Sequence, residues 1–114
     1  MALIIKTSDP TGLLTSMKKS IDTKSIETWS YDSSGDFTHT PEQWKFKAWM
    51  RPKIHIGELH FDFLGNREIT TTKLIYAVYH GRFAEMLLNH FDTQFSEVKA
   101  TAMPTSNDVI TPSK

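Results

Sequence analysis

Residues 44–64 read WKFKAWMRPKIHIGELHFDFL. Two runs in this stretch alternate with a period of two. Trp44, Phe46, Ala48 and Met50 interleave with Lys45, Lys47, Trp49 and Arg51, and Leu59, Phe61 and Phe63 interleave with Glu58, His60 and Asp62. Successive strand residues point to opposite faces, so each run is expected to be a strand with one dry face and one wet face. Pro52 should end the first strand or place it at a sheet edge, because proline cannot donate to a ladder. Gly57 permits the reversal between the runs, and Gly65-Asn66 closes the second.

Toward the N-terminus, Glu27–Asp32 places Trp29 and Tyr31 on one face, Ser33-Ser34-Gly35-Asp36 is a turn cluster, and Phe37–Thr40 resumes as strand. A hairpin is expected there. Thr40 and Gln43 have capping-box spacing around Pro41, which predicts one helical turn. Ala2–Thr7 is apolar and β-branched and reads as a buried strand. Asp9 then offers a cap, and Pro10 suits the first position of a helix whose buried stripe is Leu13, Leu14, Met17 and Ile21.

Toward the C-terminus, one of Thr70, Thr71 and Thr72 caps a helix running to about Phe91. Its polar stripe, Arg82, Glu85 and Asn89, is narrow, and apolar residues cover most of the circumference. Such a helix needs cover on two sides. Gly81 in its middle costs roughly 1 kcal/mol against alanine, which suggests a close backbone approach. Val98–Met103 is expected to be the last strand, and residues 104–114 a flexible polar tail.

The predicted fold class is therefore α+β, in the order β-α-β-β-β-β-α-β. One domain covers 1–103, with a mostly antiparallel sheet and both helices on one face. This order resembles the ferredoxin-like sandwich, a resemblance that implies a fold and no function. The rows TPEQWKFKAWMRP (40–52) and YAVYHGRFAEMLLNHFD (76–92) resemble the dense signature of a bacterial family, with no activity attached.

Composition narrows the function classes. The 114 residues hold 13 Lys+Arg against 13 Asp+Glu, a net charge of zero, which disfavours a bulk nucleic-acid binder. With no cysteine, thiol chemistry and zinc-thiolate sites are excluded. No apolar run approaches the ~20 residues of a membrane helix, and Lys6 follows too soon after Met1–Ile5 for a signal-peptide core, so the cytoplasm is expected. Aromatic residues reach 11%, most of them in the middle of the chain together with five histidines.

His80 is the most pointed candidate for chemistry, because it lies in the apolar arc beside Tyr76, Tyr79 and Phe83. There it would serve as a base or ligand at the floor of an aromatic pocket, or else as a bonded core histidine. His60 with Asp62 and His90 with Asp92 have the spacing to orient an imidazole, but no nucleophile elbow accompanies them. A solvated strand face or helix terminus is the favoured reading of each pair. The histidines lack metal-ligand spacing, so neither metal nor cofactor is implied. Lys45, Lys47, Trp49, Arg51 and Lys53 form a basic aromatic strand face, able to track phosphates or simply to protect a sheet edge.

The expectation is a non-catalytic interaction protein, a homodimer that binds another protein in the manner of an immunity protein, antitoxin or inhibitor. The binding candidates are Lys45, Lys47, Trp49, Arg51, Tyr76, Tyr79, His80 and Phe83. The alternatives are an RNA- or nucleotide-processing module using residues 45–53, and a small-molecule pocket around His80.

Overall fold

The computed structural model describes residues 2–112. Its elements are β1 (Leu3–Lys6), α1 (Pro10–Asp22), β2 (Trp29–Tyr31), β3 (Phe37–His39), β4 (Ala48–His55), β5 (Glu58–Gly65), α2 (Lys73–Phe91) and β6 (Glu97–Ala100). The strands form one six-stranded sheet in the order β2-β3-β4-β5-β1-β6, and every neighbouring pair is antiparallel. The longest ladder is the hairpin read from the alternation, with Met50 opposite Phe63 and Pro52 opposite Phe61.

Alternation gives this sheet its dry side. Leu3, Ile5, Met50, Leu59, Phe61 and Phe63 join Leu13 and Met17 of α1 and Ile75, Tyr79, Phe83 and Leu87 of α2 in one cluster. Phe83 is central to it. Its ring meets Phe61 at 4.6 Å, Trp29 at 4.8 Å and Phe37 at 5.8 Å, all close to edge-on. That geometry adds quadrupole attraction to area burial. Both helices start on the caps the sequence offers. Asp9 accepts from Gly12 N–H at 3.0 Å, and Thr72 accepts from Ile75 N–H at 3.1 Å.

The structure corrects one sequence expectation, decides a second between its alternatives and adds contacts to a third. First, β4 begins at Ala48, not Trp44. The turn begun by Pro41 continues, with Trp44 and Lys45 N–H both donating to the Pro41 carbonyl. Phe46 has φ +59° and is 51% exposed, so it does not continue the dry face, and Lys45 and Lys47 are not strand residues. Second, Pro52 lies inside β4. Strand β3 reaches only Met50 in the ladder, so β4 is an edge from Pro52 onward and the missing N–H costs no bond there. Third, the segment expected as a flexible tail is tied to β5. Val109 N–H donates to the Phe63 carbonyl at 2.8 Å, Gly65 N–H donates to the Val109 carbonyl at 2.7 Å, and Asp108 Oδ1 accepts from Phe63 N–H at 2.8 Å. Strand β1 starts opposite Phe61, so it leaves that end of β5 open, and residues 108–109 fill the gap. The last two residues of the expected tail lie outside the described residues.

Candidate interaction site

The pocket expected around His80 is filled. The ring is 4% exposed, stacked on Tyr76 at 3.8 Å and on Phe63 at 5.4 Å. Its Nδ1–H donates to the Tyr76 carbonyl at 2.6 Å, one turn back in α2. Burial pushes the imidazole below the ordinary histidine range, so it is neutral and Nε2 carries the lone pair, sealed from solvent. Tyr79 and Phe83 are fully buried. The Tyr79 hydroxyl donates to the Trp44 carbonyl and lies 3.1 Å from Thr38 Oγ1. Tyr76 is half-buried, and its hydroxyl donates to the Thr101 carbonyl at 2.8 Å. These rings hold α2 to the sheet.

The second face of the hairpin carries Trp49, Arg51, Lys53 and His55 opposite Leu64, Asp62, His60 and Glu58. His60 and Asp62 are 5% and 2% exposed, so the expected solvated strand face is not what they occupy. His55 stacks on His60 at 3.9 Å, and Lys53 Nζ lies 3.1 Å from Asp62. His60 Nε2 bonds Glu58 at 2.8 Å, and this bond holds the Glu58 carboxyl below its usual range. Arg51 reaches across to Asp36 with two hydrogen bonds. The two strand cations are thus matched by carboxylates of neighbouring elements. Trp49 is half-buried near Phe46, at 6.4 Å between rings. His90 and Asp92 are exposed at the end of α2. Among the described residues no group of three His, Asp or Glu side chains is gathered for a metal, and no helix is long and apolar enough to cross a membrane.

The outer face of α2 has a different character. The buried positions Ile75, Tyr79, His80, Phe83, Met86, Leu87 and Phe91 turn one side to the sheet. The opposite side presents Leu74, Ala77, Gly81, Ala84 and Leu88, spaced +3, +4, +3, +4. This is the a/d spacing of a coiled-coil seam. Leu74 is 62% and Leu88 55% exposed. A Cβ added at Gly81 would meet nothing within 4 Å, and the φ there is not left-handed. Nothing described within the chain requires glycine at that point. Shallow hollows lie on either side of it, one lined by Ala77, Val78 and Gly81, the other by Gly81, Ala84 and Leu88.

The surplus apolar surface of α2 is legible in the sequence, but its aromatic rings face the sheet and its outer face is aliphatic. The pairing of Arg51 with Asp36 is not legible there, because it depends on a register between strands that no local pattern encodes. No protein family, curated protein or solved structure matches this chain.

Proposed function

We propose that this chain is a non-catalytic interaction module on a ferredoxin-like sandwich, and that its long helix docks a second copy of itself. The fold reading is supported by two interlocked units. Strands β1 and β4 flank β5 and are joined through α1, while β5 and β6 flank β1 and are joined through α2. The β2–β3 hairpin is then an insertion that widens the sheet.

The observation that carries the self-association is the seam on α2 with glycine at its centre. Glycine in mid-helix costs stability, and no described neighbour within the chain accounts for it. A second helix approaching closely does. In an antiparallel pair, a positions face d positions of the partner. Leu88 of each copy then enters the hollow at Ala77 and Gly81 of the other, and Gly81 lies over Ala84. Charge agrees with this register. Arg82 and Glu85, both more than half exposed, form only a 3.2 Å surface pair within one helix. Across the two-fold axis each Arg82 comes beside the other copy's Glu85, so four charges alternate. One helix face is smaller than the roughly 800 Å² per partner of a standard interface, so the association is reversible.

The RNA-binding alternative draws less support. Arg51 and Lys53 are matched by Asp36 and Asp62, and the net charge is zero.

The test uses the absence of native cysteine. Ala77→Cys with Leu88→Cys should form intermolecular disulfides on mild oxidation, because those positions face each other across the axis. Leu74→Cys alone should not form them efficiently. Equal cross-linking at both, or none at either, rejects this register.

A further inference from the structure

A cavity of about 370 Å³ lies between α2 and the connection from β3 to β4. Its floor is formed by Trp29, His39 and Met86, Trp44 forms a wall, and Arg82 and Glu85 stand at the mouth. Its size falls within the range of small-molecule sites. The two floor rings are 2% and 5% exposed and lie 4.5 Å apart.

Their hydrogen-bonding groups are unequally used. His39 Nδ1 lies 2.7 Å from the Thr28 carbonyl, which can only accept, so Nδ1 carries the proton. Burial holds this imidazole below its ordinary range, and Nε2 is then an acceptor. No described residue takes Nε2, and none accepts from the Trp29 indole N–H. Neither atom is among the buried groups sealed from solvent, and both rings line this cavity. The floor thus holds one free acceptor beside one free donor. Arg82 and Glu85 at the mouth offset each other in charge.

We infer that this cavity is a binding site for a small, uncharged, planar heterocycle with a cyclic amide edge, of the kind a pyrimidine base carries. The N–H of such an edge meets His39 Nε2, its carbonyl meets the Trp29 indole N–H, and the flat ring lies against Trp44. Self-association is not required for this, since the lining comes from one chain.

The test titrates the full chain with uracil and follows the tryptophan indole N–H signals by NMR. A saturable shift of the Trp29 signal is expected. 1,3-Dimethyluracil has no amide N–H and should bind about tenfold more weakly or worse. His39→Phe keeps the ring stack, removes Nε2 and should weaken uracil by a similar factor. Absence of a saturable Trp29 shift overturns the inference. So does equal binding of the dimethylated ring, a comparison that needs no variant, or unchanged binding by folded His39→Phe.

Discussion

Arg51 holds Asp36 by two parallel hydrogen bonds, Nε to Oδ1 at 3.0 Å and Nη2 to Oδ2 at 2.9 Å. The two partners are unequal. The Asp36 side chain is 8% exposed and that of Arg51 49%. Removing the arginine leaves a carboxylate in a dry place, whereas removing the carboxylate leaves a guanidinium that water can reach. Arg51→Met should therefore cost about 2–3 kcal/mol and Asp36→Asn about 1 kcal/mol. Urea unfolding of the two variants checks the order. Equal losses would mean that Asp36 is better solvated than its burial implies.

Gly81 separates folding from association. No described residue opposes a Cβ there, so Gly81→Ala should raise the stability of the subunit by about 1 kcal/mol. The same methyl group stands in the seam, so self-association should weaken by about tenfold. Thermal unfolding at low concentration and sedimentation at high concentration read the two effects separately. A variant that gains in both would remove the seam from the interface.

Stability should fall on mild acidification. Burial holds His80 and His39 below the ordinary histidine value of about 6.5. The folded chain then binds fewer protons than the unfolded chain between that value and the lower folded one. Stability is complete above the ordinary value and declines as pH falls through this window. The groups acting on His80 are the Tyr76 carbonyl and Asp108, and those on His39 are Arg82, Glu85 and the Thr28 carbonyl. Arg82 adds to the effect of burial on His39, while both carbonyls, Glu85 and Asp108 oppose burial only in part. His80→Phe keeps the stack on Phe63 and Tyr76 and should flatten the slope between pH 7 and pH 5. An unchanged slope would place the dependence elsewhere.

The C-terminal segment should protect β5. Asp108→Ala leaves the Phe63 N–H without its acceptor, at a cost of about 1–3 kcal/mol. Amide exchange at Phe63 and Gly65 should quicken, while exchange at Phe61, outside the docked segment's bonds, should change little. Uniform quickening would indicate global loss of stability instead.

The parts legible in the sequence are those where one local rule acts alone. Leu59, Phe61 and Phe63 alternate because one face of β5 packs on the helices, and Asp9 and Thr72 cap helices with their own side chains. Trp44 and Phe46 imitate that alternation, but the Pro41 turn and the Tyr79 hydroxyl claim the backbone of Trp44. The docking of Val109 on β5 was not legible, because its partners are backbone groups more than forty residues away. His39 belonged to no recognisable spacing, and only the fold brings it to the α2 residues that share its cavity. The outer face of α2 was legible as a surplus of apolar residues, though its seam emerges only once the sheet-facing side is known.

Pairing of α2 with a second copy of itself is open to direct test. Sedimentation equilibrium of the unaltered chain over a wide concentration range tests it most directly. A reversible rise from the monomer mass to twice that mass is expected, lost when Leu88 is replaced by glutamate. A single monomer mass at every concentration, or a dimer that Leu88→Glu leaves intact, would contradict it.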